Sequence, residues 1–155
     1  MNLYFPSRLP AFPTLSRTTI RLCWMIALVG LSSCVANRMV PHDAHAYQEG
    51  QALKNEALNL MSMANRPYAE SDAKINTFHQ RVETHIDYEQ QRGEKNQTTV
   101  DMWKLLMNPS GNLFGGFLNK WKADGQLSDI LVDQFKREIG NNFNKIISLE
   151  NKKKK

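Results

Sequence analysis

The sequence is poor in the features that reveal a specific activity. Its 155 residues include only two cysteines. No segment shows the sustained alternation of apolar and polar residues that marks a half-buried strand. No uncharged apolar run reaches the roughly 20 residues that a membrane-spanning helix needs. A nucleophile elbow, a His-Glu-x-x-His motif and a glycine-rich phosphate loop are also missing. These absences argue against a β-rich fold and against the enzyme classes that carry those motifs.

The first 33 residues have the layout of a secretory signal. Residues 1–21 contain three arginines and no acidic residue, and the uncharged run LCWMIALVGL follows at residues 22–31. This order of a basic and an apolar region is typical of a cleaved signal peptide. A retained anchor helix is the alternative, but lengthening the run would bury Arg21 or Arg38 at a high cost in free energy.

A cysteine directly follows the apolar region, in the sequence Leu31-Ser32-Ser33-Cys34. These four residues resemble the lipobox of bacterial lipoproteins, in which a leucine, a small residue and then Gly, Ala or Ser precede the cysteine. The resemblance covers the first 34 residues. It implies cleavage between Ser33 and Cys34, attachment of diacylglycerol to the Cys34 thiol and acylation of the new amino terminus. Three acyl chains would hold the mature protein stably at a membrane.

Cleavage before Cys34 would change both the charge and the cysteine content of the chain. Three of the 20 basic residues would leave with the signal, which lowers the net charge from +5 to +2. Four of the remaining positive charges lie in the final lysine run, so the basic character that would indicate a nucleic-acid partner is lost. Cys23 would also leave, and an alkylated Cys34 offers neither a disulfide nor a catalytic thiol.

The lipoprotein resemblance also implies a location. In Gram-negative lipoproteins an Asp after the cysteine commonly signals retention in the inner membrane, and this chain has Val35 there. The resemblance therefore implies the periplasmic face of the outer membrane. Residues 34–42 have little periodicity and predict a lipidated tether that spans at most roughly 30 Å. We expect the domain to work close to that membrane, with another envelope protein as its partner.

Residues 43–150 predict an all-α domain built on a long antiparallel helix hairpin. Asp43 is a suitable N-cap, and apolar side chains recur every three or four residues up to about residue 65. Pro67 interrupts this pattern and suits the first turn of a second helix, 67–92. Two long helices joined by a short break favour a hairpin.

Two short helices and a C-terminal helix complete the predicted domain. Thr98-Thr99-Val100-Asp101 resembles a capping box that opens the first short helix, and the turn-forming residues 108–111 end it. A second short helix ends at Gly125. The C-terminal helix begins near Ser128, and Gly140 predicts a bend or an end within it because Gly costs about 1 kcal/mol relative to Ala in a helix interior.

Residues 113–121 form an unusually apolar internal stretch. Leu113, Phe117 and Trp121 follow one another at steps of four, and Phe114 lies on an adjacent stripe. One interpretation packs these side chains into the core together with Trp103, because a domain of this size needs its aromatic residues inside. The other interpretation is a partner surface, since exposed aromatic side chains are good binding anchors.

Four histidines suggest metal binding as an alternative. Six residues advance a helix by about 600°, so His79 and His85 lie on different helix faces, and His42 lies in the tether. We therefore predict no metal site and no cofactor, with the histidines on the surface and His85 at the edge of the core. A module that binds a metal or an apolar ligand between the helices is the alternative function.

Three carboxylates share the second helix with His79 and His85, namely Glu83, Asp87 and Glu89. Alternating charges along a helix usually form a solvated face, so a cell-wall-directed enzyme is the less favoured alternative. The sequence predicts a non-enzymatic envelope lipoprotein that acts through contacts with another protein, such as an accessory, immunity or complex-assembly subunit.

A lysine-rich tail, residues 151–155, closes the sequence with four consecutive lysines: Lys152, Lys153, Lys154 and Lys155. The run predicts a solvated tail or a contact with anionic lipid headgroups or cell-wall polymer, where each lysine contributes about 1 kcal/mol near a charged surface. A small helical lipoprotein that ends in lysine also resembles murein-linked lipoproteins, whose final lysine is joined to peptidoglycan. The chain lacks the continuous heptads of that group, and the resemblance would give this role to Lys155.

Overall fold

A computed structural model describes residues 39–154 of the chain. The signal region, the lipobox, Cys34 and Lys155 lie outside the described residues, so what the sequence predicts for them stays a prediction. The described residues contain no strand and form five α-helices: α1 (Ala44–Met61), α2 (Asp72–Gln91), α3 (Gln97–Met107), α4 (Phe114–Asp124) and α5 (Asp129–Lys152). The predicted all-α fold is confirmed. None of the five helices is long and apolar enough to cross a membrane.

Four of the helices form a bundle in which each packs against two neighbours. The packed pairs are α1 with α2, α2 with α3, α3 with α5, and α5 with α1. Successive members of the bundle run in opposite directions, so the predicted antiparallel hairpin of α1 and α2 is confirmed. The remaining helix, α4, packs against α3 and against a short 3-10 turn at Tyr68–Glu70.

Capping chemistry sets two of the helix starts as the sequence predicts. The Asp43 carboxylate accepts hydrogen bonds from the backbone N–H groups of His45 at 2.8 Å and Ala46 at 3.0 Å. The Ser128 hydroxyl accepts one from the N–H of Leu131 at 3.4 Å. All three bonds serve N–H groups that lack a partner inside the helix.

Two other predicted helix starts are wrong. Pro67 precedes the 3-10 turn rather than opening α2, which begins five residues later at Asp72. The predicted capping box is already inside α3, which begins at Gln97 directly after a second 3-10 turn, Glu94–Asn96. No side-chain hydrogen bond caps this helix at Asn96, and the second threonine of the predicted box, Thr99, is buried and accepts a hydrogen bond from Lys153.

A helix end at Gly140, one of the two predicted outcomes, is also wrong, because α5 continues through it as one helix of 24 residues. Gly140 is buried where α5 packs against α1, with Ile139 and Phe143 buried beside it. Burial of these neighbours outweighs the roughly 1 kcal/mol that the glycine costs the helix.

The short helix α4 closes one end of the bundle with aromatic rings. The ring of Phe114 packs against that of Phe78, with centroids 5.0 Å apart. Trp121 donates a hydrogen bond from its indole N–H to the Arg66 carbonyl at 2.9 Å. Gly115 makes the tight α3–α4 connection possible, because a Cβ there would overlap the Met107 carbonyl.

Candidate functional site

Four charged side chains are buried together at the opposite end of the bundle, and we call them the ionic cluster: Glu89, Arg92, Glu150 and Lys153. Arg92 lies between the two carboxylates, 2.7 Å from Glu89 and 2.9 Å from Glu150. The Lys153 ammonium donates to Glu150 at 2.5 Å. Each of the four side chains is at most 11% exposed. Charges taken this far from water need partners, and here each has at least one of opposite sign.

Polar side chains from the start of α3 complete the cluster. The Asn96 amide donates to Glu89 at 2.5 Å, and its oxygen accepts from Lys153 at 2.7 Å. The hydroxyl of Thr99 also accepts from Lys153, at 3.1 Å. The cluster therefore joins α2, α3 and α5 through hydrogen bonds to charged groups, which are stronger than those between neutral groups.

The chain enters the domain through the same cluster. Arg92 donates to the Pro41 carbonyl at 2.7 Å, and the N–H of Asp43 donates to Glu150 at 2.7 Å. The His42 ring lies 3.0 Å from the Glu150 carbonyl. The predicted tether, 34–42, is thus too long, because its last two residues are bound to the domain.

These contacts shift the pKa values of two carboxyl groups and one tyrosine at this end of the bundle. Burial raises the pKa of the Glu150 carboxyl, but hydrogen bonds from Arg92 and Lys153 outweigh it and hold the pKa below its usual 4.5. A hydrogen bond from the Tyr88 hydroxyl lowers the pKa of Asp43 and raises that of Tyr88. The folded domain therefore favours the charged form of Asp43 and Glu150.

The lysine run is not a uniform solvated tail. Helix α5 extends to Lys152, and Lys153 is buried in the ionic cluster, so the predicted domain boundary at residue 150 is wrong and Lys153 is not free to touch a cell wall. Lys152 and Lys154 are exposed. The Lys154 ammonium lies 5.4 Å from the centre of the Tyr47 ring, within the range of a cation–π interaction.

The aromatic row of α4 is core and not a surface. Phe114, Phe117 and Trp121 are each 0% exposed, and Leu113 is half-buried. The core interpretation is confirmed for the three rings, and the expected partner surface on them is wrong. Packing around α3 and the turn at Tyr68–Glu70 encloses the row, and no sequence pattern distinguishes that outcome from exposure.

The second helix divides its titratable residues between surface and interior. Glu83 and Asp87 are exposed as predicted, whereas Glu89 is 1% exposed. His85 is also buried, with its ring 4.9 Å from the Trp103 ring. Burial lowers the pKa of the His85 imidazole below 6.5, against the opposing effect of Glu89. Sequence reasoning missed the buried role of Glu89 because burial at that position depends on Asn96 and on the helices that pack against α2.

A cleft of about 270 Å³ lies between α1 and α2 beside two of the histidines. Its lining residues are His45, Glu49, Arg81, Thr84, His85 and Tyr88. Several of these groups already have partners, since Arg81 pairs with Glu49 at 2.7 Å. Among residues 39–154 no three His, Cys, Asp or Glu side chains converge as a metal site.

The geometry defines a small helical bundle whose chain entry and C-terminal helix are bound together by the ionic cluster. Comparisons with protein-family models, curated proteins and solved structures found no match to this chain.

Proposed function

We propose that this chain is a lipid-anchored component of a bacterial cell envelope that acts through protein–protein contacts and without catalysis. The observation that carries the proposal is the short stretch of sequence between Cys34 and Pro41, where the chain is first bound to the domain. Pro41, held by Arg92, lies only seven residues after the lipobox cysteine. Seven extended residues span at most about 25 Å, so lipid on Cys34 would keep the ionic-cluster end of the bundle near the membrane.

A lipid anchor at Cys34 would also determine which membrane and which cell-wall groups the domain meets. Diacylglycerol and an N-acyl chain on Cys34, with Val35 after it, support the periplasmic face of the outer membrane. The exposed Lys152 and Lys154 lie at the anchored end, where anionic lipid headgroups or peptidoglycan would be within reach. Display of a rigid helical surface at a membrane suits an accessory, immunity or complex-assembly subunit.

The state of the buried charges supports a role without catalysis. Arg92 pairs with Glu89 and Glu150, and Lys153 pairs with Glu150. Groups that satisfy one another in this way join helices, whereas catalysis requires an acid, a base or a nucleophile within reach of a substrate. The cluster is accordingly assigned to the architecture of the anchored end.

The decisive experiment is a mass measurement on protein purified from the membranes of its native cells. We expect the first peptide to begin at Cys34 and to carry diacylglycerol and an N-acyl chain. Cys34→Ala should lose the lipid, and membrane recovery of the mature form should disappear. Cys23→Ala is the matched control and should leave both unchanged. A wild-type protein that retains residues 1–33, or that lacks the acyl mass, would refute the proposal.

The cleft beside the histidines favours a second candidate function, a ligand-binding module. Two imidazoles line it, so a metal ion shared by His45 and His85 is the ligand to test. Titration with Zn²⁺ while the imidazole NMR signals are observed should shift both rings if this candidate is correct. Absence of a shift at millimolar Zn²⁺ would remove it.

A further inference from the structure

A shallow groove runs along the surface between α3 and α5. It consists of two adjoining hollows of about 400 and 40 Å³ that share Met102 as a wall. The apolar residues that line it are Met102, Leu105, Leu106, Leu113, Ile146 and Leu149. Leu105 is 58% exposed at its edge.

The charged residues of this groove have a single sign. Lys145 and Lys152 are the only charged side chains in its lining, and the remaining polar ones are asparagine, serine and threonine. The neighbouring groove on the other side of α3 differs, since it is lined by Glu83, Asp101 and Lys104 together. An apolar floor with a basic rim therefore distinguishes the α3–α5 groove from its neighbour.

The dimensions of the groove match a short helix. Along α5 its lining residues extend from Asn141 to Lys152, about 16 Å at 1.5 Å per residue. Along α3 they extend from Thr98 to Leu106, about 12 Å. A helix of two to three turns would cover this length and would place apolar side chains at positions i, i+3 or i+4, and i+7 on the floor.

Building on the proposed function, we propose that the α3–α5 groove binds an amphipathic helix with acidic flanks that belongs to another envelope protein. Leu105 and Met102 would bury against its apolar face. Lys145 and Lys152 would meet its carboxylates, which would set the orientation of the helix and disfavour basic partners. The groove extends to the end of α5 that lies beside the bound chain entry, so a membrane-associated partner could reach it.

The test uses the full-length protein in its native cells, with a photo-crosslinking amino acid in place of single residues. We expect Leu105 replaced in this way to give an adduct in the membrane fraction. Sequencing of the crosslinked peptide should show an apolar repeat of three and four residues flanked by Asp or Glu. Ile130, which is 84% exposed and outside the groove, is the matched control position and should give none.

Charge reversal then examines the basic rim. Lys145→Glu together with Lys152→Glu should lower the yield of the adduct at least about tenfold, while Lys→Arg at both positions should preserve it. Both lysines are exposed, so the reversed variant should unfold at the same urea concentration as the wild type. If its unfolding midpoint falls, Lys145→Gln together with Lys152→Gln, which removes the positive charges without reversing them, replaces it.

Several results would overturn the inference. One is equal adducts at positions 105 and 130. Another is an adduct with lipid, with peptidoglycan or with a second copy of this chain. A third is an adduct yield that charge reversal leaves unchanged. Absence of any adduct would also overturn it. The acyl mass on Cys34 is read from the same sample, so loss of that mass refutes the proposed function, whereas its presence without an adduct refutes only the groove.

Discussion

The two ends of the bundle are closed in opposite ways. At the α4 end the rings of Phe78, Phe114 and Trp121 fill the space between helices. At the other end the ionic cluster does so, with Arg92 and Glu150 at its centre. Both ends are about equally sealed from solvent, yet they use different chemistry to achieve it.

The two kinds of closure contribute differently to the stability of the fold and to the fixed position of the chain entry. Burial of aromatic rings is favourable in nearly any arrangement that excludes water. A buried ion pair gives little net stability over an apolar replacement, but it is costly when one partner is missing. We infer that the rings of the α4 end contribute more to the folding free energy than the ionic cluster does, while the ionic cluster holds the chain entry in one place.

The largest expected effect is at the α4 end. Phe114→Ala should lower the free energy of unfolding by about 4 kcal/mol, because it removes a fully buried ring and leaves a cavity. Urea unfolding followed by circular dichroism measures it. The matched control, Leu105→Ala on the exposed surface, should change it by less than about 0.5 kcal/mol. Similar losses for the two variants would contradict the assignment of the rings to the core.

The next largest effect is at the ionic cluster. Arg92→Met should lower the free energy of unfolding by about 3 kcal/mol, because Glu89 loses its cationic partner and Glu150 loses one of two. Adding Glu150→Gln to that variant should cost less than it does in the wild type. A double-mutant cycle measures this coupling, and additive losses would show that the two side chains act independently.

Acid should lower the free energy of unfolding through His85, which lies beside the ionic cluster. The pKa of His85 in the folded domain lies below 6.5, so its contribution is complete above about pH 6.5 and is lost as the pH falls through the folded value. Glu89, Glu49, His45 and Arg92 face this ring. Urea unfolding at about pH 7.5 and pH 5.5 should show lower stability in acid, at most about 1.4 kcal/mol per pH unit for one proton.

His85→Phe is the control for this pH dependence, because it removes the titrating group and keeps a flat ring. Its free energy of unfolding should vary less between the two pH values than that of the wild type. The effect of Glu150, whose pKa lies below 4.5, appears only at lower pH, so it does not confuse the comparison. An unchanged slope in the variant would assign the acid sensitivity elsewhere.

The smallest expected effect concerns the first turn of α1. Asp43→Ala should lower the free energy of unfolding by about 1 kcal/mol, since the N–H groups of His45 and Ala46 lose their acceptor. Asp43→Asn keeps an oxygen at that position and should retain most of the stability. If Asn costs as much as Ala, the hydrogen bond from Tyr88 to the carboxylate matters more than the cap.

Local features of the fold could be predicted from the sequence. Asp43 caps a helix as expected, and the C-terminal helix begins beside Ser128 as expected, because a helix start depends on neighbours within a few residues. Pro67 and Gly140 gave wrong expectations for the converse reason. Each sits where packing or a distant hydrogen bond outweighs a local preference of about 1 kcal/mol, and no local pattern records that contact.

The candidate site depends almost wholly on distant contacts. Glu89 and Arg92 are three residues apart and could be paired from the sequence, but Glu150 lies 58 residues beyond Arg92. Lys153 belongs to a run of four lysines in which nothing marks it as the buried one. Apart from Glu150, its hydrogen-bond partners are Asn96 and Thr99, which lie more than 50 residues earlier.

The sequence by itself determined the all-α fold, the hairpin of α1 and α2 and the resemblance of residues 31–34 to a lipobox. Each of these depends on residues close together along the chain, through helical periodicity, capping or a short motif. Only the tertiary structure decided that the aromatic rings of α4 are core, that Lys153 is buried and that the chain entry is bound to Arg92 and Glu150. The physical reason is that burial and ion pairing depend on which helices meet, and that depends on the packing of the whole bundle.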